Sequence, residues 1–128
     1  MSGILTDRRI LVVEDEMLLL MTIETVLADL GCSAISCAAT VTAALALVGQ
    51  QRFDAALLDV NLGGEASYPV ADALARLGIP FVFATGYRDY GDRTDLAGRP
   101  KLKKPYSIDD LEAAFKQLLT IEPLPAQA

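Results

Sequence analysis

Residues 10–16, Ile-Leu-Val-Val-Glu-Asp-Glu, decide how the rest of this sequence is expected to fold. The continuous apolar run at 10–13 is typical of a strand buried on both faces, as in a parallel sheet that helices cover. Apolar residues at helical spacing then predict a helix over residues 16–30, and Gly31 is placed to end it. The predicted core face of this helix comprises Leu19, Ile23, Val26, Leu27 and Leu30.

The same alternation of apolar run and helical stretch continues along the chain. The intervening stretches predict helices that begin at Thr40, Pro69 and Ser107, and the first two end before Gly49 and Gly78. Alternating strands and helices predict an α/β fold, a doubly wound five-stranded parallel sheet of the flavodoxin-like type. The four further strands are predicted over residues 33–37, 53–60, 79–84 and 101–103.

The stretch before the last predicted strand is less regular. Residues 86–99 hold three glycines among Asp and Arg residues, and Pro100 follows them. Glycine and proline both disfavour the interior of a helix. The fourth of the five helices is therefore predicted to be short or flexible.

Length and composition indicate one domain, predicted over residues 1–122, with residues 123–128 as a disordered tail. Hydrophobic residues make up 52% of the chain, which is enough for a core.

A net charge of -6 disfavours nucleic acids and anionic membranes as partners, because phosphate contacts require clustered Lys and Arg. The apolar stretch 17–23 is too short to span a bilayer, and no secretory signal precedes it, so a cytoplasmic location is expected.

Thiol and imidazole groups are scarce in this sequence. Cys32 and Cys37 are its two cysteines, and it contains no histidine. Two thiols cannot complete a four-ligand zinc site, and the lack of histidine excludes Ser-His-Asp and Cys-His catalysis. We expect both cysteines to be reduced and to pack as small apolar residues beside a strand.

Polar residues stand where four of the predicted strands end. The carboxyl ends of parallel strands meet at one edge of a sheet, and ligands bind there. Taken singly, each residue has an ordinary explanation as a helix cap or a solvated loop residue. Their occurrence at successive strand ends favours a functional site. They are Glu14, Asp15 and Glu16 after the first strand, Asp59 in the third, Thr85 after the fourth and Lys104 after the fifth.

These residue types suit phosphoryl chemistry. Packed carboxylates repel one another unless a cation neutralises them, and Mg²⁺ prefers oxygen ligands. Asp59 can act as a nucleophile and form an aspartyl phosphate. Lys104 and the Thr85 hydroxyl can stabilise the charge on the phosphoryl oxygens. The pattern therefore predicts magnesium-assisted phosphorylation of Asp59.

At these positions the sequence resembles the CheY-like receiver domains of two-component signalling, over about residues 8–120. The resemblance implies that Asp59 accepts phosphate from a phosphohistidine on a sensor histidine kinase or a phosphotransfer protein. It also implies Asp15 and Asp59 as direct Mg²⁺ ligands, Glu14 as a ligand through water, and the backbone carbonyl of Asn61 as a further ligand. The matching motifs are Leu11-Val-Val-Glu-Asp15, Leu57-Leu-Asp-Val-Asn-Leu62, Ala84-Thr-Gly86 and Lys104-Pro-Tyr106.

Residues 80–87, Pro-Phe-Val-Phe-Ala-Thr-Gly-Tyr, are similar to a subgroup of these domains that is often paired with histidine kinases of the HWE type. Thr85 matches the switch hydroxyl of the family, and Lys104 matches its phosphoryl-binding lysine. The aromatic switch residue of the family lies three positions before that lysine, where this chain has Lys101. We therefore expect a different coupling, with Tyr87 as the candidate switch; the alternative, that Tyr87 only packs on the surface, stays open.

The first predicted helix carries more apolar residues than one core face needs. Met17, Leu18, Leu20 and Met21 lie outside the predicted core face, and exposed apolar patches often mark docking surfaces. In the family this helix meets the helical bundle of the kinase. Leu18 and Met21 are therefore predicted to contact a partner, together with Pro105, and a generously apolar but buried helix is the alternative.

Two other functions fit parts of the pattern. A phosphatase of the haloacid-dehalogenase type uses a strand-end aspartate with Mg²⁺, but it needs a second acid two residues later, where this chain has Asn61. A pseudo-receiver binds partners without phosphorylation, but here the set of phosphorylation residues is complete. We expect a non-enzymatic, single-domain response regulator that signals by protein binding or serves as a phosphate shuttle or sink, because few residues follow the last helix.

Overall fold

The structure, a computed structural model, describes residues 3–85 and 101–120. Predictions for residues 86–99, among them Tyr87, and for the tail at 123–128 concern residues outside these ranges. None of the described helices has the length and apolar composition that crossing a bilayer requires. The helices are α1 (Met17–Asp29), α2 (Val41–Gln50), α3 (Tyr68–Arg76) and α4 (Ile108–Thr120). The strands are β1 (Arg9–Val13), β2 (Ala34–Ala38), β3 (Ala55–Asp59), β4 (Asn61–Leu62), β5 (Glu65–Ala66), β6 (Phe81–Thr85) and β7 (Lys101–Lys103).

Five of these strands form one parallel sheet in the order β2-β1-β3-β6-β7. The predicted doubly wound, five-stranded parallel sheet is therefore confirmed. The chain runs outward from β1 to β2 and then returns to β3 on the other side of β1. Open parallel sheets bind ligands at such a switch point, beyond the carboxyl ends of the strands. Glu14 and Asp59 lie at this point, because β1 and β3 are hydrogen-bonded neighbours.

Helices cover both faces of the sheet because successive residues of a strand point to opposite faces. Ile10 and Val12 of β1 belong to the apolar cluster that includes residues of α1 and α4. Leu11 and Val13 belong to the second cluster, which includes residues of α2 and α3. Burying the strands on both faces holds their carboxyl ends, and hence the polar residues there, in fixed register.

The core face of α1 differs from the prediction at one position. Leu19 and Leu30 are half-buried and pack against the core cluster, in agreement with the prediction, whereas Leu20, expected outside the core face, is buried. The prediction was wrong at Leu20 because residues 17–21 are all apolar and do not fix which of them points inward. The buried residues of α1 are Leu20, Ile23, Val26 and Leu27.

Gly63 and Gly64 form the turn of a two-stranded antiparallel hairpin of β4 and β5. Both glycines have positive φ, 62° and 97°, as a two-residue hairpin turn requires. The end predicted for the second helix was also wrong. α2 continues through Gly49, because the N–H of Gln51 still donates to the carbonyl of Leu47 at 3.1 Å.

Side-chain caps fix the starts of two helices, as predicted from Thr40 and Ser107. The Thr40 hydroxyl accepts a hydrogen bond from the N–H of Ala43 at 3.1 Å. The Ser107 hydroxyl accepts from the N–H of Asp110 at 3.0 Å, and the Asp110 carboxylate accepts from the N–H of Ser107 at 3.0 Å. This reciprocal capping box anchors α4 immediately after the segment that carries Lys104.

Candidate functional site

The sheet gathers the predicted polar residues at one edge. Asp59 is the last residue of β3, and Glu14 directly follows β1, where its N–H donates to the Ala38 carbonyl at 2.9 Å. Thr85 ends β6, and Lys104 directly follows β7. Four strands thus deliver one residue each to the same edge, which is the placement expected from the strand ends.

Glu14 is the most deeply buried acid of the site. It is 2% exposed, and its Oε2 accepts hydrogen bonds from the N–H groups of Asp15 at 3.0 Å and Glu16 at 3.1 Å. These N–H groups lie at the start of α1, where the helix dipole also favours negative charge. The two residues that lead into α1 therefore fix the Glu14 carboxylate next to Asp59.

Lys104 supplies the positive charge between the two buried acids. Its Nζ lies 2.9 Å from Oδ2 of Asp59 and 3.6 Å from Oε1 of Glu14. Its side chain is 25% exposed, whereas Lys101 and Lys103 on β7 are exposed. The backbone N–H of Lys104 donates to the Thr85 carbonyl at 2.7 Å, which ties the lysine to the end of β6.

The hairpin after β3 closes the other side of the site. Oδ1 of Asp59 accepts from the N–H of Asn61 at 3.2 Å, and Oδ1 of Asn61 accepts from the N–H of Gly64 at 2.8 Å. The position that a Cβ on Gly63 would take lies 3.5 Å from Oδ2 of Asp15. The hairpin tip therefore lies near the Asp15 carboxylate, and the positive φ of Gly63, rather than lack of space, disfavours a side chain there.

Burial and charge shift the proton affinities of two groups. Burial raises the pKa of Glu14 from 4.5 to about 7; the N–H of Glu16 opposes this shift, and Asp59 adds to it. Burial acts to lower the pKa of Lys104, but its hydrogen bond to Asp59 and the surrounding negative charge outweigh burial and raise it. The site therefore holds Lys104 as a cation and disfavours ionisation of Glu14 without a further positive charge.

The carboxylates also fit a hard dication. Glu14, Asp15 and Asp59 each offer an oxygen within 4.8 Å of the others, and two of these residues are buried. Mg²⁺ is commonly held by one or two carboxylates together with waters. Asp15 is exposed and therefore accessible to an ion that enters from solvent. The donor set, the burial and the raised pKa of Glu14 all suit a dication at this position.

The predicted docking residues lie on the surface beside the site. Leu18 is 81% exposed and Met21 is 56% exposed on α1. Pro105 is also exposed, and Met17 is 67% exposed. We call Met17, Leu18, Met21 and Pro105 the α1 rim.

The sequence did not predict that two hydroxyl groups near the site would be buried. The oxygens of Ser67 and Tyr106 have no hydrogen-bond partner within the described residues. Ser67 lies at the base of the hairpin, where its N–H donates to the Val60 carbonyl at 2.8 Å. Tyr106 forms part of the Lys104-Pro-Tyr106 motif, which identified the residue but not the burial of its hydroxyl. Hydroxyl burial depends on tertiary packing and has no local sequence pattern.

Fold and site together define the class of protein. The sequence matches the model of the response regulator receiver domain over residues 10–116, and the chain therefore belongs to this family. It is a response regulator domain of two-component signalling. No curated protein matches the sequence.

Solved structures of family members give more particular comparisons. The solution structure of SdrG from Sphingomonas melonis Fr1 is 46% identical, with a TM-score of 0.77 over 88% of this chain and 97% of that chain. The BeF3-activated conformation of SdrG from Pseudomonas melonis Fr1 is 45% identical, with a TM-score of 0.74 over 94% and 100% of the two chains. The response regulator REC domain of PhyR from Erythrobacter litoralis is 26% identical, with a TM-score of 0.80 over 98% and 100%.

The raised pKa of Glu14 predicts a specific pH dependence of stability for the metal-free protein. The pKa of Glu14 is about 7 in the folded state and 4.5 in the unfolded state. The protonated form of Glu14 therefore favours the folded state, and its contribution to the unfolding free energy is complete below pH 4.5 and is lost as pH rises through 7. Glu14→Gln removes this loss. We expect the variant to exceed wild type in unfolding free energy at pH 8 by on the order of 1–3 kcal/mol, and by less at pH 5.

Urea denaturation with a chelator present measures this difference. The chain has no histidine, so few other groups titrate between these pH values. Glu16→Gln removes an exposed acid two residues away and serves as the control, with no comparable pH dependence. A stability difference between wild type and Glu14→Gln that is equal at both pH values would contradict the prediction.

Proposed function

We propose that this chain is a response regulator receiver that accepts a phosphoryl group on Asp59 from a phosphohistidine donor, and that a protein partner recognises the modified form. The observation that carries the proposal is the buried Asp59 carboxylate, 4% exposed, with the Lys104 ammonium 2.9 Å away. A buried carboxylate held beside a cation is well placed to attack phosphorus, since the developing charge already has a counter-ion.

The roles of the two Asp59 oxygens follow from their contacts. Oδ1 is held by the N–H of Asn61, and Oδ2 faces Lys104, so we assign the attack to Oδ2. The new O–P bond forms as the P–N bond of the donor breaks. The electron pair of the P–N bond goes to the donor nitrogen, and the imidazole leaves as the neutral ring with a proton supplied by solvent. Lys104 then pairs with a phosphoryl oxygen, and the Thr85 hydroxyl donates to another.

Glu14, Asp15, Asp59 and the Asn61 carbonyl are the proposed residues for Mg²⁺. When bound, the ion supplies positive charge to the phosphoryl oxygens. The residues themselves keep separate tasks. Glu14 is fixed by two backbone N–H groups, Asp15 faces solvent, and the hairpin turn at Gly63 packs against Asp15. Because backbone N–H groups hold Glu14 and the hairpin turn borders Asp15, these acids can exchange Lys104 for a metal ion as the neighbouring cation without a change in the backbone.

The comparisons support an acceptor role for this chain. SdrG has a BeF3-activated conformation, and BeF3 bound to a carboxylate has the shape and charge of a phosphoryl group. The present chain spans 97% of the SdrG chain in one comparison, so the likeness extends over nearly all of that receiver. A phosphatase role is disfavoured because Asn61, which stands where a second acid is required, engages its side-chain oxygen with Gly64.

Acetyl phosphate with Mg²⁺ tests the acceptor role without any partner protein. We expect intact mass spectrometry to show the gain of one phosphoryl group by wild type. Asp59→Asn should show no gain, because an amide is not a nucleophile for phosphorus. Asp29→Asn, which changes an exposed aspartate at the end of α1, should be labelled like wild type. Equal labelling of Asp59→Asn, or no labelling of wild type by any donor, would reject the proposal.

The α1 rim is the proposed contact for a sensor histidine kinase or a phosphotransfer protein. Its apolar side chains are exposed on α1, which begins just after Glu14 and Asp15, and at Pro105, directly after Lys104, so they lie on the segments that carry the site. We expect Leu18→Glu to slow phosphotransfer from a kinase that labels wild type by roughly tenfold or more, as loss of a central interface residue does. The rate with acetyl phosphate should stay unchanged.

Leu77→Glu is the matched control, because Leu77 is 54% exposed at the end of α3. It should leave both rates unchanged. Kinase transfer to Leu18→Glu at the rate of wild type would show that the rim is not the docking surface, while labelling by acetyl phosphate would still support Asp59 as the acceptor.

A further inference from the structure

Tyr106 occupies an unusual position for a tyrosine. It lies two residues after Lys104, and its hydroxyl is closed off from solvent without a hydrogen-bond partner in the described part of the chain. A buried hydroxyl that makes no hydrogen bond costs free energy, which the chain would recover if the hydroxyl found a partner. Burial raises the pKa of Tyr106, so the hydroxyl keeps its proton and remains a donor.

A groove of about 440 Å³ lies directly beside this ring. This is many times the roughly 30 Å³ that one water molecule occupies, so the groove has room for a phenol ring. Its walls combine apolar surface with one acid and one base, which can accept or orient a hydroxyl. The lining residues are Glu16, Leu19, Lys104, Pro105 and Tyr106.

Lys104 connects this ring to the phosphorylation site through two contacts. Its Nζ lies 2.9 Å from Asp59, and its N–H donates to the Thr85 carbonyl at 2.7 Å. A change at either residue therefore acts on Lys104 directly. Pro105 follows, and its ring fixes the backbone dihedral φ. Because this dihedral cannot absorb a movement, a displacement of Lys104 also displaces Tyr106.

The strand position three residues before Lys104 cannot supply an aromatic ring that responds to a movement of Lys104. It holds Lys101, which is exposed on β7 and carries no aromatic ring. Of the other described aromatic residues, Phe115 is fully buried in the cluster that Tyr106 packs against. The remaining ones belong to or pack against the cluster on the opposite face of the sheet, namely Phe53, Tyr68, Phe81 and Phe83. Among the described residues, Tyr106 is thus the aromatic side chain that borders both Lys104 and open space.

We propose that Tyr106 passes the occupancy of Asp59 to the surface between α1 and β7, because its ring turns into the groove when Lys104 moves its contact from Asp59 to the phosphoryl group. In the unmodified protein the hydroxyl stays buried and the groove stays open. In the modified protein the ring fills the groove and presents its hydroxyl beside Glu16. This inference rests on phosphorylation of Asp59, and it gives the partner a surface that differs between the two forms.

Fluorine NMR of the full chain labelled with 3-fluorotyrosine tests the proposal. The sequence has four tyrosines, and the resonance that Tyr106→Phe removes is assigned to Tyr106. With Mg²⁺ and acetyl phosphate, we expect this resonance to shift by more than its linewidth. A soluble paramagnetic agent should then broaden it more strongly than before, because the hydroxyl edge of the ring becomes accessible. Mass spectrometry of the same sample reports the phosphoryl group on Asp59.

Two variants test whether the Tyr106 ring moves when Asp59 is phosphorylated. Asp59→Asn should abolish both the mass gain and the shift. Leu19→Phe places a larger side chain in the groove, so we expect the mass gain to remain and the Tyr106 shift to be lost. Phosphorylated wild type with an unchanged Tyr106 resonance would overturn the proposal and leave the acceptor role intact. A wild-type chain that takes up no phosphoryl group would overturn both.

Discussion

The ion pair between Lys104 and Asp59 is the interaction on which the rest of the site depends. Glu14 and Asp59 are both nearly inaccessible to solvent, and two such carboxylates repel strongly in a low-dielectric interior. Lys104 offsets this repulsion at 2.9 Å and 3.6 Å. It does so from the far edge of the sheet, since β6 lies between β3 and β7. Neighbouring strands are about 4.8 Å apart, so only a long side chain reaches across this gap.

The same constraint explains how a signalling event begins at this edge. The unmodified site holds more negative charge than Lys104 balances, and the pKa of Glu14 is raised in consequence of its burial beside Asp59. A dication is favoured there because it completes the neutralisation. In the proposed phosphorylation of Asp59, a phosphoryl group gives Lys104 a new partner. Since the backbone N–H of Lys104 donates to the Thr85 carbonyl and Tyr106 follows two residues later, we infer that this change of partner acts on the ends of β6 and β7 and on the segment before α4.

The fold and most of the site were predictable because buried parallel strands leave a clear pattern. The apolar runs before Glu14, Asp59 and Thr85 end abruptly at polar residues, and the topology of such a sheet brings those ends together. The burial of Leu20 in α1 was not predictable, since residues 17–21 are uniformly apolar and only packing decides which of them points inward. The hairpin and the burial of the Tyr106 hydroxyl likewise depend on contacts between distant segments, which single-sequence patterns do not encode.

If Lys104 and a dication share the negative charge of Asp59 and Glu14, removing the ammonium must change the affinity for the ion, and calorimetric titration of Mg²⁺ into Lys104→Met measures this change. Removing the ammonium frees Asp59 and Glu14 for the ion, so we expect Mg²⁺ to bind on the order of tenfold more tightly than to wild type, a change of about 1.4 kcal/mol. Labelling by acetyl phosphate should slow in the same variant, because the phosphoryl oxygens lose their cation. Lys103→Met, which changes the neighbouring exposed lysine, should alter neither property. Mg²⁺ binding to Lys104→Met that is unchanged or weaker than in wild type would contradict the account.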